Sequence, residues 1–280
     1  MERSGNFYKA IRLGYILISI LIGCMAYNSL YEWQEIEALE LGNKKIDELR
    51  KEINNINIQM IKFSRNDDYD AGLWEHFSHL LAAKAGINAA KTKVIATGEK
   101  YHTLLSERFD RTKDGKRIHF ASAMTLLGLN DGDNATTGHG YLDIVDFIIQ
   151  NCTDVEYNLQ ELYRRVAFNI CIGNSDDHFR NHGFLLTAKG WTLSPAYDMN
   201  PTLNEYQSLL ISATSNKADL GILLDACVHY MLNRKTVEHI VSEVINVVKG
   251  WRGLAVRLGI SKREMDMFRG VLDERCKMNF

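Results

Sequence analysis

The residues best suited to chemistry lie in one short segment, residues 174–181, and in an aspartate that follows it, Asp198. Asn181 comes five positions after Asp176. In phosphoryl-transfer enzymes an aspartate base is followed at that interval by an asparagine that holds Mg²⁺, and a later aspartate completes the metal site. The spacing therefore predicts a phosphoryl-transfer site with Asp176 as the base and with Asn181 and Asp198 as magnesium ligands.

A β-hairpin is predicted between Asn181 and Asp198. Residues 184–186 and 191–193 are apolar runs separated by a turn that contains Gly190. Because a hairpin brings its two ends together, Asp198 is expected beside Asn181, where two oxygen ligands converge on one hard cation. The alternative is that aspartate, asparagine and glycine only mark turns here, as they commonly do.

The composition is that of an ordinary folded protein, with 280 residues, 46% of them hydrophobic and 24% charged. The 33 basic and 35 acidic residues give a formal net charge of −2, so direct nucleic-acid binding is not indicated. The 5 cysteines include no Cys-x-x-Cys pair, which argues against a zinc site and a disulfide framework. A reducing compartment is favoured, and Cys171 is interpreted as an inert buried thiol.

The front of the chain contains an uncharged apolar segment, residues 13–31, preceded by Lys9 and Arg12. Its length is that of one marginal transmembrane helix or of a signal sequence. Positive residues before it predict export of the rest of the chain, which conflicts with chemistry that needs cytoplasmic ATP. Three interpretations stay open: a membrane anchor, an unrelated segment fused to the domain, or a helix that packs on the domain. Residues 32–56 then predict an amphipathic helix, short coiled coil or solvated linker.

The remaining residues, 57–280, are predicted to form an α+β domain. Lys62 lies on an expected strand and is interpreted as the lysine that reaches nucleotide phosphates, with Glu75 on the next helix as its partner. The alternatives are a solvent-facing lysine and an acidic residue favoured by the helix dipole. No role is assigned to the Gly- and Asp-rich stretch 128–140. The expected strands are 57–64, 93–97 and 101–109, and the expected helices are 73–85, 141–150, 155–172, 220–232, 236–249 and 262–274.

Four blocks of sequence carry a family resemblance. They are Leu-Trp-Glu-His-Phe-Ser-His at the start of 73–87, Ser-Glu-Arg-Phe-Asp-Arg at 106–111, Asn-Ser-Asp-Asp-His-Phe-Arg-Asn at 174–181 and Leu-Ser-Pro-Ala-Tyr-Asp at 193–198. In this order they resemble the C-terminal kinase domain of HipA-type serine/threonine toxin kinases, over about residues 57–275. The resemblance implies a protein-kinase-like fold with a partial N-lobe at 57–111 and a mostly helical C-lobe at 112–280. An apolar helix and a linker at 1–56 precede it.

The resemblance also implies an activity, a serine/threonine protein kinase of a toxin–antitoxin type of system that uses ATP and Mg²⁺. Asp176 would be the catalytic base, and Asn181 and Asp198 would hold the metal. The residues implied to bind the nucleotide are Lys62, Glu107, Arg108, Phe109, His178, Phe179, Arg180, Asn181, Tyr197 and Asp198. The implied partners are a protein substrate, by family analogy an aminoacyl-tRNA synthetase, and an antitoxin of helix-turn-helix type. The implied location is the cytoplasm, with membrane contact through residues 13–31 left open.

One departure from the family keeps other hypotheses open. No glycine-rich loop precedes Lys62, and the family's autoregulatory serine in that loop has no counterpart. This predicts weakened activity, or an inactive remnant that persists as a binding module. The ring of His178 could instead form a hydrogen bond with a backbone carbonyl and so stabilise its loop. The charged residues of 106–111 could form the solvent-exposed face of an edge strand.

A third hypothesis is a metal-dependent phosphohydrolase, for which the chain offers four ligand-type side chains: Asp176, Asp177, His178 and His182. A second, distant histidine motif is missing from the sequence, which disfavours this hypothesis.

Overall fold

The computed structural model describes residues 59–62, 69–97, 101–112 and 116–278. The apolar segment 13–31 and the linker 32–56 lie outside the described residues, so their predicted helices stay predictions. Within the described ranges, no helix has both the length and the apolar character needed to cross a membrane. Residues 60–280 form one unit by their internal contacts, and the fold below is that of this unit.

The described chain has a mixed α/β fold. Its strands are β1 (Gln59–Lys62), β2 (Thr92–Thr97), β3 (Tyr101–Glu107), β4 (His119–Ser122), β5 (Gly183–Thr187) and β6 (Gly190–Leu193). Its helices are α1 (Ala71–Lys84), α2 (Ala123–Leu126), α3 (Tyr141–Asn151), α4 (Val155–Ile172), α5 (Leu220–Asp225), α6 (Arg234–Lys249), α7 (Trp251–Arg257) and α8 (Lys262–Glu274). Short 3₁₀ turns lie at Ala135–Thr137, Phe179–Asn181 and Cys227–Tyr230.

The strands form two three-stranded sheets, with the orders β1-β3-β2 and β4-β5-β6. The predicted hairpin is present as β5 and β6, which pair antiparallel with Phe184 opposite Leu193. Gly190 begins the second strand at a φ of 127°, a conformation that glycine adopts most readily. On the other side of β5 lies β4, which was not predicted from the sequence.

Helix α4 runs through the core and delivers the segment that contains Asp176. Leu162, Val166 and Phe168 on this helix are fully buried. The helix ends at Gly173, whose φ of 76° is left-handed. A methyl group on Gly173 would come within 2.4 Å of Val271 Cγ1, so glycine is required here for both space and conformation.

The helix predicted at 220–232 is wrong in its extent. Helix α5 ends at Asp225, and a 3₁₀ turn follows at Cys227–Tyr230. Cys227 and Tyr230 are buried, three positions apart, whereas Val228 between them is exposed. This spacing matches the three-residue period of a 3₁₀ turn, and the Tyr230 hydroxyl donates a hydrogen bond of 2.8 Å to the carbonyl of Ile211.

Helix α1 is buried along most of its length, including Trp74 and Phe77, neither of which is exposed to solvent. Asp70 caps its first turn by accepting the N–H of Leu73 at 3.2 Å. His79 on the same helix is buried and donates Nδ1–H to the carbonyl of Ala90 at 2.9 Å. The predicted helix at 73–85 is thus present, with its start two residues earlier.

We expect His79 to make the protein less stable in acid. Burial lowers the pKa of His79 from 6.5 to about 4. The unfolded chain therefore binds the proton more tightly, so stability that is present above pH 6.5 is lost as the pH falls toward 4. The loss reaches about 2 to 3 kcal/mol near pH 4.5.

Urea unfolding of the wild type and of His79→Asn at neutral and acidic pH measures this loss. Asparagine retains a side-chain N–H for Ala90 but does not titrate, so the free energy of unfolding of the variant should depend less on pH. Parallel curves for the two proteins would show that His79 has no part in the acid sensitivity.

Candidate active site

Three side chains that are distant in sequence meet at the end of β1. The ammonium group of Lys62 lies 2.8 Å from Glu75 Oε1 and 2.5 Å from Asp198 Oδ1. Asn200 donates its amide to both acids, at 3.4 Å to Glu75 Oε2 and 3.3 Å to Asp198 Oδ1. The contact predicted between Lys62 and Glu75 is therefore formed, and Asp198 joins it. We call Lys62, Glu75, Asp198 and Asn200 the lysine cluster.

The electrostatics of the lysine cluster keep Lys62 charged. Burial by itself would lower the pKa of Lys62, but the charges of Glu75 and Asp198 raise it above its ordinary value. Burial raises the pKa of Glu75, against the lowering effect of Lys62. A buried carboxylate of this kind is costly without its counter-ion, so Glu75 depends on Lys62 for its charge.

Asp198 is held in a left-handed conformation, with a φ of 58°. Such a conformation is unfavourable for a residue with a side chain and persists where the surroundings impose it. The approach to Asp198 is fixed, because Ala196 exchanges backbone hydrogen bonds with the loop after α1, at 2.7 Å to Asn88 and 2.9 Å from Ala90. The guanidinium of Arg165 also donates to the carbonyl of Ser194 at 2.7 Å.

The hairpin brings the segment 174–181 to Asp198, as predicted. The hydroxyl of Tyr197 donates to the carbonyl of Arg180 at 2.5 Å, so the neighbours of Asp198 and Asn181 are in contact. Asn181 in turn donates its amide to the carbonyl of Asp176 at 3.3 Å. The segment that carries Asp176 and Asn181 is thus in contact with the residue that precedes Asp198, and the roles of these three residues stay predictions.

The donor set fits a magnesium ion. Asn181 uses its amide nitrogen within its own loop, and Asp198 uses Oδ1 for Lys62 and Asn200. Among the residues that the structure describes, no donor is bonded to Asn181 Oδ1 or Asp198 Oδ2. An amide oxygen and a carboxylate oxygen are ligands that Mg²⁺ accepts alongside phosphate oxygens and water.

A cavity of about 170 Å³ opens beside Asp176, whose own side chain is exposed. The loop 130–134 forms one wall, and Ser208 and the segment 178–180 form others. Lys62 and Asp198 are not among the residues that line this cavity. The stretch 128–140, to which the sequence assigned no role, thus contributes to the surroundings of Asp176.

The family of the chain follows from a match of residues 44–251 to the family model described as HipA-like C-terminal domain. The chain belongs to this family.

Two curated relatives of this HipA-like domain are described as kinases. The serine/threonine-protein kinase toxin HipA of Shewanella oneidensis is 28% identical over 142 residues, which are 45% of this chain and 33% of that protein. A putative kinase of Haemophilus influenzae is 25% identical over 134 residues, which are 44% of this chain and 39% of that protein. The chain thus matches between 33% and 39% of the length of these relatives.

Two solved structures share the fold. Shewanella oneidensis HipA, in a complex of HipA, HipB and operator DNA, superposes with a TM-score of 0.67 at 17% identity, covering 79% of this chain and 58% of that one. The proinflammatory kinase CtkA of Helicobacter pylori superposes with a TM-score of 0.51 at 13% identity, covering 78% of this chain and 86% of that one. At these identities the likeness establishes the fold of the HipA-like domain.

The residues predicted to line the nucleotide differ in their surroundings, and two of them belong to a group of aromatic rings. The rings of Phe109 and Tyr197 have centroids 5.5 Å apart, and Phe120 lies 5.7 Å from Phe109. Arg108 is held beside Asp110 by two hydrogen bonds of 2.9 and 2.7 Å. Phe120 was missed because β4, the strand that carries it, was not predicted.

Glu107 is exposed at the end of β3, and a carboxylate oxygen lies 3.9 Å from the ammonium of Lys91. Its backbone N–H donates to the carbonyl of Lys91 at 2.8 Å. The ion pair is therefore a weak surface contact that leaves the side chain available to a ligand.

Three other predicted residues lie in the segment 178–180. Phe179 is 2% exposed and packs in the core, so mainly its backbone remains for a ligand. Arg180 forms a surface ion pair of 2.7 Å with Asp131. The Nδ1 atom of His178 is buried, and within the described ranges it has no hydrogen-bond partner, so the bond from this atom to a backbone carbonyl considered above is not formed.

Asp177 is a buried structural carboxylate. Its Oδ2 accepts hydrogen bonds from Tyr141 at 2.7 Å, Asn169 at 2.7 Å and His182 at 2.8 Å. Burial by itself would raise the pKa of Asp177, but His182 and the Tyr141 hydroxyl hold it below its ordinary value. The sequence indicates no structural role for Asp177, because two of its three partners lie 8 and 36 positions away along the chain.

The bonds of Asp177 weaken the phosphohydrolase hypothesis. Asp177 and His182 are bonded to each other in the core and are not free to bind a metal. Throughout the described ranges, no group of three or more His, Cys, Asp or Glu side chains is arranged to hold a metal ion. The assignment of Asn181 and Asp198 as metal ligands stays a prediction.

Proposed function

We propose that this HipA-like domain is a serine/threonine protein kinase that transfers a phosphoryl group from ATP, with Mg²⁺, to a hydroxyl group of a protein. The observation that carries the proposal is the contact of Lys62 with both Glu75 and Asp198. A kinase requires a lysine oriented by a helix glutamate and an aspartate that holds the metal. The contacts among Lys62, Glu75 and Asp198 support these roles. The relatives described as kinases support the same activity.

Each residue has a distinct part in the proposed reaction. Glu75 orients the ammonium of Lys62, which contacts the nucleotide phosphates. Asn181 and Asp198 would hold magnesium, which when bound would supply positive charge against the phosphate oxygens. Asp176 is exposed beside the cavity, where it orients the acceptor hydroxyl and accepts its proton.

The nucleotide base is proposed to lie against the aromatic rings of Phe109 and Tyr197, after the end of β3. Arg108 would line this position through its backbone, since its side chain is held by Asp110. Glu107 would line it through its side chain, since its backbone N–H is bonded to Lys91. Aromatic rings offer large apolar faces that suit a purine.

The biological setting is proposed from the family. By likeness to the toxin HipA, the substrate would be a protein, by family analogy an aminoacyl-tRNA synthetase. By likeness to the structure of HipA with HipB, an antitoxin of helix-turn-helix type would be a partner. The missing glycine-rich loop supports a second candidate, a binding module without activity, and nucleotide binding distinguishes the two.

We expect Asp198→Asn to weaken binding of Mg·ATP by at least about tenfold, because even groups outside a metal's coordination sphere typically contribute about 10- to 100-fold to metal affinity. Asparagine preserves the shape and tolerates the left-handed conformation, so the fold should persist. Isothermal titration with ATP, with and without magnesium, measures the change.

Asp225→Asn is the matched control, because the Asp225 side chain is 82% exposed and, among the residues described, forms an ion pair with Arg234 alone, at 3.1 Å. The Mg·ATP affinity of the Asp225→Asn variant should equal that of the wild type. Equal Mg·ATP affinity in the wild type and Asp198→Asn would refute the metal assignment. A wild-type protein that binds no nucleotide would favour the inactive binding module.

A further inference from the structure

Helix α8 contacts Asp70, the residue that caps the start of helix α1. Glu75 lies on α1. The carboxylate oxygen Oε1 of Glu264 accepts the backbone N–H of Asp70 at 2.8 Å. Asp70 is the residue that caps α1, and its carboxylate also accepts the backbone N–H of His102 on β3 at 3.1 Å. Glu264 therefore bonds to the residue that joins α1 to the first sheet.

Aromatic packing continues this contact along α8. The ring of Phe268 lies 4.6 Å from that of Trp74 and 5.2 Å from that of Tyr69, centroid to centroid. Trp74 is fully buried and immediately precedes Glu75, and Phe268 is 1% exposed. A displacement of α1 would open this packing and leave buried aromatic rings without their partners.

The other end of α8 lies on the segment that leads to Asp176. Val271 and Arg275 lie directly over Gly173, where α4 ends. The guanidinium of Arg275 also donates to the carbonyl of Asn204, in the segment that follows Asp198. One helix thus contacts both α1 and the two segments that carry Asp176 and Asp198.

The far end of α1 is also attached to the helical part of the domain. Arg164 of α4 donates to the carbonyl of Ala85 at 3.0 Å and pairs with Glu243 of α6 at 2.7 Å. Helix α1 is therefore held at both ends and along its buried face. This arrangement restricts the movement of Glu75 relative to Asp198.

We propose that α8 positions the active site, with Glu264 and Phe268 holding α1 where Glu75 contacts Lys62, and with Val271 and Arg275 holding the approach to Asp176. These four residues form the α8 clamp. The inference rests on the proposed kinase function for its catalytic consequence. The members of the clamp are positioning residues, since they contact other protein groups and none of them belongs to the lysine cluster.

Loss of the α8 clamp is expected to lower activity, because the Lys62–Glu75 hydrogen bond holds only over a short distance. A shift of α1 by about 1 Å takes this contact beyond hydrogen-bond length, and misplacement of that size can cost about 10²-fold in activity. Glu75 would then be left with a weakened counter-ion in a buried site, where its neutral form is favoured.

Glu264→Ala and Glu264→Gln in the full chain test the clamp. Alanine removes the acceptor for the Asp70 N–H, whereas glutamine retains an oxygen at the same position. We expect Glu264→Ala to speed amide hydrogen exchange in residues 70–77 and to lower the rate of phosphoryl transfer by about tenfold, a smaller loss than the roughly 10²-fold that a full misplacement can cause. Glu264→Gln should restore both values toward those of the wild type.

Ser261→Ala is the control for a local effect on α8. Ser261 and Glu264 form the capping box of this helix, and Ser261→Ala breaks it without removing the Asp70 contact. The clamp predicts wild-type exchange in α1 for this variant. Equal effects of Ser261→Ala and Glu264→Ala, or unchanged exchange in Glu264→Ala, would overturn the inference. If the wild type binds no Mg·ATP, the proposed function fails, while the exchange measurement still decides whether α8 fixes α1.

Discussion

Asp176→Asn is expected to lower the rate of phosphoryl transfer by about 10²- to 10⁴-fold, the usual contribution of a general base. The substitution retains the shape of the side chain but removes its ability to accept a proton. The side chain of Asp176 is exposed beside the cavity and outside the lysine cluster. Mg·ATP affinity should therefore change little, because the base acts on the acceptor hydroxyl.

Transfer of label from radioactive ATP to proteins of a heat-treated bacterial extract measures this rate, and titration calorimetry measures the affinity. Wild-type transfer by Asp176→Asn would contradict the role of Asp176 as base. Loss of affinity in proportion to the loss of rate would instead place Asp176 in the nucleotide site.

Asp177→Ala is expected to lower the free energy of unfolding by about 3 to 5 kcal/mol, the range typical when one partner of a buried charged network is removed. Three donors bond to one oxygen of Asp177, and each would be left without its acceptor in the core. The pKa of Asp177 is held below its ordinary value of 3.8, so this stabilisation is present above that pH and is lost as the pH falls.

The neighbouring Asp176→Ala provides the control, because exposed substitutions usually change stability by less than about 0.5 kcal/mol. Urea unfolding of both variants gives the comparison. The two adjacent aspartates should separate cleanly, one affecting activity and the other stability. A loss below about 1 kcal/mol for Asp177→Ala would mean that water replaces the missing acceptor, as at a solvated site.

The features that could be predicted from the sequence are those with a local signal. Two apolar runs around Gly190 indicated the hairpin, and the hairpin brought the neighbours of Asn181 and Asp198 into contact. The kinase template made Glu75 a candidate partner of Lys62, beside the alternative of an ordinary acidic residue in the first turn of the helix, and the contact is formed. In each case the sequence pattern and the fold agree over a short stretch of chain or a known motif.

The features that were missed depend on distant partners. Strand β4 has only four residues and is defined by its pairing with β5. Asp177 is distinguished from Asp176 by donors at 5, 8 and 36 positions along the chain. Short-range patterns in the sequence do not predict such contacts, because the contacts form only when distant segments pack together in the core.

The Asp70–Glu264 contact joins residues 194 positions apart and therefore bears on the order in which the domain is synthesised. Lys62, Glu75, Asp176 and Asp198 all leave the ribosome before Glu264 does. At about 5 to 20 residues per second, translation from Asp198 to Glu264 takes roughly 3 to 13 s. During this interval the nascent chain contains every proposed catalytic group but lacks the helix that fixes α1. The growing polypeptide is thus expected to stay inactive until α8 has been made and docked, so that catalysis begins only when translation of the domain is almost complete.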